Sequence, residues 1–316
     1  MIIIILLVIK MQLIKVYVIL LNYKAPNDTI ECVDSLKKMN LCGIDLKIVI
    51  VDNFSQDDSC TIFNKLYEND RTVNLIFNSE NNGYAAGNNL GIKYALKNNA
   101  EYIWVLNNDT VVDKNCLKEL LLTEKNNENS MIGAKVCNYY DKKKVLYWNY
   151  KLDDYLHNTC SCHDITIEKT GYNDIAVPWL SGCSLFAKKE IFKRHLIDER
   201  YFLYGEDVAY SIELKNDNIE LVLSGKALLW HKESISTNKL SNLKLYYLWR
   251  NELIVASLYM KEPYKTLYFI KRFSFLPLRL LRRYIKGLLF KSEYKNYVRY
   301  EWYAVRDFLY KRTGKF

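Results

Sequence analysis

The first hundred or so residues alternate apolar runs with amphipathic stretches, and the alternation predicts strands and helices in turn. Lys15–Leu21 is a continuous apolar run, as expected of a strand buried on both faces. Asp28 with Glu31 has the form of a capping box and predicts a helix to about Met39. Leu46–Val51 predicts a second strand, Asp58–Asn69 a helix and Val73–Phe77 a third strand. A glycine-rich turn follows, then a helix over Gly87–Asn98, a fourth strand over Tyr102–Leu106, and a further helix capped by Asp113. Strands alternating with helices of about 10–15 residues imply βαβ units and a largely parallel sheet.

The rhythm breaks between Asn138 and Asp174, a polar, tyrosine-rich stretch that reads as an irregular insertion or short hairpins flanking a site. It resumes with a helix from Glu206 to about Asn216. Beyond Asn238 the pattern is helical, with Leu, Tyr, Trp and Phe interleaved with Arg and Lys. The expected division is an α/β domain over 11–238 and a helical, basic-aromatic region over 239–316 that associates with a membrane or with a second copy.

Composition narrows the class without identifying it. A chain of 316 residues that is 50% apolar and 26% charged can bury a large core and is not disordered. The eight cysteines follow no disulfide-framework spacing, so reduced thiols are expected. Within His157–His163, the Cys-x-Cys-His spacing lacks the paired arrangement of a structural zinc site and reads as a surface loop with free thiols. Met1–Ile9 is almost wholly apolar but ends at Lys10, too short to span a bilayer. With no basic segment before it and no cleavage site after it, it reads as an upstream extension or at most a weak membrane-touching tail, Met11 being a normal start.

Charge is unevenly placed. From Ser241 to the end, 17 Lys/Arg stand against 5 Asp/Glu, which gives +12 and leaves −3 for the preceding residues to reach the overall +9. Phe269, Phe273, Leu276, Leu280 and Tyr284 recur three and four apart among these basic residues and predict one apolar helix face. That face suggests peripheral attachment to the cytoplasmic side of the cell membrane. The other reading is packing on the main domain or in a homo-oligomer. Nucleic acid is not expected, since the Leu/Phe/Tyr-rich amphipathic spacing favours a lipid surface over a base-stacking one.

Each predicted strand ends in candidate chemistry, where open α/β sheets hold ligands. After the first strand comes Asn22-Tyr23; after the second, Asp52-Asn53-Phe54-Ser55, with an acid placed to grip a nucleoside. After the third comes Asn81–Asn89, whose glycines allow close approach and whose helix would offer N–H groups to phosphate. After the fourth comes Asn107-Asn108-Asp109-Thr110, an oxygen-rich cluster suited to a hard divalent cation. Tyr204-Gly205-Glu206-Asp207 then opens a helix, where the macrodipole is expected to keep both carboxylates ionised, as a general base requires. Trp230-His231 follows some two dozen residues later.

With these blocks together, the chain closely resembles the bacterial family 2 glycosyltransferases, especially the rhamnosyltransferase-like branch. The matching segments are Val51–Ser55, Asn81–Asn89, Leu106–Thr110, Trp179–Cys183, Tyr204–Asp207 and Trp230-His231, in order. The resemblance implies a GT-A fold, with a nucleotide-binding half and a mixed central sheet, and an inverting transfer from a UDP- or dTDP-sugar. The acceptor would be a hydroxyl of a glycan or lipid-linked saccharide in cell-surface polysaccharide synthesis. It further implies that Asp207 is the general base and that Asn22, Tyr23, Asp52, Asn53, Gly83, Asn88 and Asn108 lie on the donor side. Trp179, Ser181, Gly182 and Glu206 would line the acceptor side, and Asp109 and His231 would hold Mg²⁺ or Mn²⁺. Asn107 departs from the pattern, since many relatives carry Asp there, and a neutral amide weakens cation binding in the absence of nucleotide. The rival readings are a non-catalytic sugar-nucleotide or glycan-binding scaffold and a nucleotidyltransferase. Intact Asp109, Asp207 and His231 speak against the first. The absence of a basic glycine-rich loop at Asn22-Tyr23-Lys24 speaks against the second.

Overall fold

The structure, a computed structural model, describes residues 13–161, 165–232, 242–289 and 293–316. In chain order the first half runs β1 (Ile14–Asn22), α1 (Pro26–Lys37), β2 (Ile44–Asp52), α2 (Ser59–Tyr67), β3 (Val73–Phe77), α3 (Gly83–Lys97), β4 (Tyr102–Asn107), β5 (Thr110–Val112), α4 (Cys116–Asn126) and β6 (Ser130–Asn138). A hairpin of β7 (Trp148–Leu152) and β8 (Asn158–Ser161) follows, then α5 (Ile167–Thr170), β9 (Ile175–Ala176), β10 (Ser184–Lys188) and α6 (Lys189–Arg194). The chain continues with α7 (Glu206–Asn216) and β11 (Glu220–His231), then the helices α8 (Asn242–Tyr259), α9 (Tyr264–Ser274), α10 (Leu276–Leu289) and α11 (Glu293–Leu309).

Nine strands form one mixed sheet in the order β3-β2-β1-β4-β10-β6-β11-β5, with β9 on β11. β1 is parallel to both β2 and β4, whereas β10 is antiparallel to β4. Strand order therefore reverses at β1, which opens a crevice beyond Asn22 and Asn107, the place where such sheets take ligands. The continuous apolar run of β1 is accounted for by burial on both faces. Val16, Val18 and Leu20 pack with α1, α2 and α4, and Tyr17 and Ile19 pack with α3, α6 and α7.

Several local expectations are corrected. Asp28 and Glu31 form no capping box: α1 has Ala25 at its N-cap without a side-chain bond. Both carboxylates instead pair with Lys232, at 2.5 and 2.6 Å, tying α1 to the end of β11. The helix expected from Gly87 begins a full turn earlier, at Gly83, so most of the glycine-rich segment is itself helix. Two of its glycines are needed for close packing on the sheet. A Cβ on Gly87 would stand 2.4 Å from Leu21, and one on Gly91 2.3 Å from Ile19, so α3 lies hard against β1.

The C-terminal helices reverse another expectation. Phe269, Phe273 and Leu280 pack inward around buried Leu253, Met260, Tyr268 and Leu276, so the predicted outward stripe is interior except at exposed Tyr284. A different stripe faces out. Leu278, Leu281, Ile285 and Leu288 of α10 are exposed and recur three, four and three apart, and Leu267 and Ile270 of α9 are exposed beside them. The reason lies on the opposite face of α10: Arg279 and Arg283 turn inward to Glu301 of α11, which is 0% exposed. No helix among the described residues is long and apolar enough to cross a membrane. The apolar start of the chain and two members of the Cys/His cluster, Cys162 and His163, lie outside the described residues. His157 pairs with Asp153 at 3.1 Å.

Candidate active site

Two chains of hydrogen bonds run beneath the crevice. In the first, Asp52 at the end of β2 accepts from Asn22 Nδ2 at 2.7 Å, from the Ser55 hydroxyl at 2.6 Å and from the Ser55 N–H at 3.0 Å. The Asn22 side-chain oxygen accepts from Thr29, whose hydroxyl accepts in turn from Asn108 Nδ2 at 2.8 Å. Asp52, Asn22 and Asn108 are thus brought together, and Thr29, which sequence reasoning missed, is the link. Its Ala25-Pro26 surroundings look like an ordinary helix start, so nothing in the pattern singles it out. Asp52 is only 1% exposed, whereas Tyr23 and Phe54 beside it are exposed.

Asn53 and Asn88 face inward. Asn53 donates to Asn81 and to the Gly83 carbonyl and accepts from Asn78, pinning the β3–α3 turn to the sheet. Asn88 donates to the Tyr84 carbonyl one turn back. Gly83 sits at φ +90°, and a Cβ there would meet the Phe202 carbonyl oxygen at 2.2 Å. That same oxygen takes the Tyr84 N–H at 2.8 Å, and the Gly83 N–H goes to Asn81. The Gly83 and Tyr84 N–H groups at the start of α3 are therefore taken up within the protein.

The second chain joins the expected cation site to the expected base. His231 Nε2 lies 2.9 Å from Asp109 Oδ1 and 3.5 Å from Asn107 Nδ2, although more than 120 residues separate the histidine from both partners. The antiparallel pairing of β11 with β5, which sets His231 opposite Thr110, brings them together. Tyr84 donates its hydroxyl to the Gly182 carbonyl at 2.6 Å, with Asn107 Oδ1 at 3.4 Å. The Gly182 N–H points at Asp207 Oδ2 at 3.5 Å, and the Val208 N–H reaches Asp207 Oδ1 at 2.8 Å. Tyr84 is the second residue sequence reasoning missed. It lies inside the Asn81–Asn89 block, where it reads only as part of a turn. Burial and the nearby carboxylates of Glu206 and Asp207 hold its phenol well above its ordinary range.

The turn carrying the carboxylates is strained and braced. Tyr204 at φ +67° and Gly205 at φ +86° both adopt left-handed backbone. Asn251 of α8 donates to the carbonyls of Leu203 and Tyr204, at 3.0 and 2.7 Å, and so holds the turn from the C-terminal helices. Helix position does not decide the protonation of the pair. Burial, with the Asp207 charge adding to it, pushes Glu206 up to about 8, and its Oε2 is buried without a partner. Burial also raises Asp207, against the pull of the Val208 and Gly182 N–H groups. Desolvation outweighs the macrodipole, which is worth about 0.3–1 kcal/mol at an exposed helix end.

Glu206 and Asp207 open onto a cleft of about 490 Å³ whose far wall is α8 and α9, through Trp249, Asn251, Glu252 and Tyr268. Trp179 does not line it. Its indole donates to the Lys151 carbonyl at 3.1 Å and its ring meets Tyr150 edge-on, so it anchors the β7–β8 hairpin in the core. Ser181 is half-buried and its hydroxyl accepts from the Cys183 N–H. Among the described residues no three His, Cys, Asp or Glu side chains converge as a cation cage. Asp109 and His231 nonetheless suit a hard cation that takes its remaining ligands from phosphate and water, and His231 Nδ1 is buried without a partner.

A mixed sheet with helices on both faces, a crevice at the β1 switch point and acids at the ends of β2, β4 and α7 define the GT-A class of nucleotide-sugar enzymes. Residues 17–196 match the profile described as Glycosyl transferase family 2, and the chain belongs to that family. It is similar to the low-salt glycan biosynthesis hexosyltransferase Agl10 of Haloferax volcanii, at 21% identity over 76% of this chain and 75% of that one. It is also similar to glycosyltransferase GlyG of Streptococcus pneumoniae serotype 4, at 24% identity, with 58% of each chain covered. Among solved structures, S. aureus TarS 1-349 superposes with a TM-score of 0.55 at 16% identity, over 94% of this chain and 81% of that one. GalNAc-T7 with UDP, GalNAc and Mn²⁺ superposes with a TM-score of 0.57 at 16% identity, over 69% of this chain and 43% of that one.

Proposed function

We propose that this glycosyltransferase moves a hexosyl or rhamnosyl group from a UDP- or dTDP-sugar to a hydroxyl of a glycan or lipid-linked saccharide, with inversion, in cell-surface polysaccharide synthesis. The observation that carries the reading is the hydrogen-bonded path from Asp109–His231 through Asn107, Tyr84 and Gly182 to Asp207 at the mouth of the cleft. It supports a reading in which a donor diphosphate at Asp109–His231 and a carboxylate base at Asp207 lie along one hydrogen-bonded path.

Asp52, Asn22 and Tyr23 would take the nucleoside at the switch point, with Asn108 below it. Asp109 and His231 would hold Mg²⁺ or Mn²⁺, which when bound neutralises charge developing on the departing diphosphate. The name of the GalNAc-T7 structure includes UDP and Mn²⁺, which favours that pairing here. Asp207 accepts the proton of the acceptor hydroxyl as it attacks the anomeric carbon from the face opposite the leaving group. A single displacement of this kind inverts the anomeric configuration. Glu206, Ser181 and Gly182 border the acceptor, which the cleft walls off with α8 and α9.

The same reading sets the enzyme against the inner, cytoplasmic face of the cell membrane, the side on which nucleotide sugars are made. The outward stripe of α9–α10 is bordered by exposed Lys271, Arg282 and Lys286, and the segment from Ser241 carries 17 basic against 5 acidic residues. Anionic headgroups complement that charge, and the apolar arc suits the acyl boundary.

The test is a donor screen. The protein is incubated with UDP- and dTDP-sugars and saccharide acceptors, and released nucleotide and the product's anomeric configuration are measured. Nucleotide release that depends on acceptor, with an inverted product, is expected. A retained configuration overturns the single-displacement mechanism. The absence of turnover with every donor, together with tight binding of one of them, supports the non-catalytic scaffold instead.

A further inference from the structure

Beside the acceptor cleft lies a second, smaller pocket of about 310 Å³, lined by Tyr155, His157, Tyr268, Lys271, Arg272, Phe275 and Arg279. Tyr155, His157 and Tyr268 also line the cleft that holds Asp207, so the two spaces share a wall. The lining of the smaller one is basic and includes no carboxylate. Arg272, Arg279 and Arg283 all converge on the single carboxylate of Glu301, with Arg272 at 3.6 Å and Arg279 at 2.7 Å. Lys271 brings the basic residues of the pocket lining to three, beside Arg272 and Arg279. The neighbouring Glu252 does not balance them: its Oε1 accepts from the Tyr268 hydroxyl at 2.8 Å, and it faces the cleft.

The arginines are only partly satisfied where they stand. Arg279 Nη2 pairs with Glu301 Oε1 at 2.7 Å, but Nε and Nη2 of Arg272 and Nε of Arg279 are buried with no hydrogen-bond partner, while the two side chains are 14% and 28% exposed. Buried guanidinium groups without acceptors are costly, and several in one pocket more so. Burial and the adjacent Arg272 hold the Arg279 guanidinium below its ordinary range, as expected of a cation crowded by another. A planar guanidinium fork fits the oxygens of phosphate, and an ammonium supplies a mobile third donor.

We infer that this pocket is a phosphate subsite, one that holds a phosphoryl or diphosphoryl group of the acceptor while the acceptor's sugar hydroxyl reaches Asp207. The inference rests on the transferase reading and deepens it: the acceptor is a saccharide carrying a phosphate ester at the end away from the reacting hydroxyl. The shared wall of Tyr155, His157 and Tyr268 makes the two spaces one bipartite site. Phe275 both lines the pocket and is exposed, so a hydrophobic tail on the phosphate would meet an apolar surface where it leaves.

The test is calorimetric titration of the full-length protein with inorganic phosphate and pyrophosphate, with UDP and Mn²⁺ saturating so that the donor site is filled. Binding is expected in the wild type, weakened about tenfold in Lys271→Glu and in Arg272→Gln, the loss of one charge-assisted partner in each case. Lys271 is exposed and makes no ion pair with the buried carboxylate, so Lys271→Glu keeps the test valid if Arg272→Gln unfolds. Absence of phosphate binding, or binding unchanged in Lys271→Glu, overturns the subsite. UDP affinity of the wild type is measured separately. Nucleotide binding without phosphate binding rejects the subsite and leaves the transferase reading standing, and the converse rejects that reading. A further arm distinguishes the sources of phosphate. A free or saccharide-borne phosphate site binds pyrophosphate without lipid. Binding seen only with vesicles containing phosphatidylglycerol, and never with phosphate in solution, shows a headgroup contact and overturns the acceptor assignment.

Discussion

Glu206 opens α7, where the helix dipole favours negative charge, yet its Oε2 is buried without a hydrogen-bond partner and beside Asp207. Burial raises the pKa from 4.5 to about 8, so the folded state favours the protonated acid. The sign follows: this group's contribution is most favourable below pH 4.5, is lost as pH rises to about 8, and then levels off. Glu206→Gln keeps the shape and removes the titration. Its urea midpoint should match wild type near pH 4.5 and exceed it increasingly toward pH 8. Parallel stability curves for the two proteins would mean that Glu206 is solvated. Asp207, raised in the same direction, must be ionised to act as a base. The acidic limb of the transfer rate should therefore lie above the ordinary carboxylate range. Asp207→Asn should bind UDP normally and lose about a thousandfold in rate, a loss confined to the transition state. At the other end of the hydrogen-bonded path, the proposed cation site predicts that Mn²⁺ tightens UDP binding to the wild type in calorimetry and that Asp109→Ala abolishes this tightening. Equal tightening in both proteins would remove Asp109 from the cation site.

At the scale of elements, the turn at Leu203–Gly205 depends on a helix far away in sequence. Asn251 supplies both donors that hold its carbonyls, while Tyr204 sits in a left-handed conformation that costs of order 1–3 kcal/mol for a non-glycine residue. Asn251→Ala should lower the transfer rate while leaving UDP affinity intact, since the proposed nucleotide crevice lies at β1 and β2. A fall in UDP affinity of the same size as the fall in rate would show a general loss of folding instead. Asn251 also marks the boundary of what the amino-acid pattern reveals. The strands at Lys15–Leu21 and Leu46–Val51 are legible because burial on both faces leaves an unbroken apolar run. The pairs Asp109–His231 and Asp207–Gly182 are reachable only through the family motifs, since β-pairing brings together residues whose separation carries no period. The start of α3 is illegible because Gly83 and Gly87 read as turn formers, whereas both are needed for packing: an added Cβ would stand 2.2 Å from the Phe202 carbonyl oxygen at Gly83 and 2.4 Å from Leu21 at Gly87. The inward face of α10 is misread for a related reason. Periodicity marks Leu276, Leu280 and Tyr284 as one apolar arc, and only Glu301, on another helix, decides that this side of α10 turns inward.

For the whole molecule, the unresolved matter is what covers the outward stripe. Leu267, Ile270, Leu278, Leu281, Ile285 and Leu288 are all exposed, and each would gain about 1.5–3 kcal/mol on full burial. Patches of this kind on one face mark interaction surfaces. A lipid surface accounts for both the apolar arc and its basic border, whereas a second copy would set two such borders against each other. Anionic headgroups add about 1 kcal/mol for each basic side chain near the surface, an attraction that salt screens. The full-length protein should therefore float with vesicles containing phosphatidylglycerol and stay behind with phosphatidylcholine alone, and added salt should reduce the floating fraction. Leu281→Glu with Ile285→Glu changes only exposed positions, so the fold should persist while flotation is lost. Circular dichroism and UDP affinity check the first point. If the double variant floats as well as wild type, the stripe is not the docking face. If neither protein floats and sedimentation shows that the double variant alone is monomeric, a second copy covers the stripe, and the excess of 17 basic over 5 acidic residues in this segment serves the acceptor phosphate rather than the bilayer.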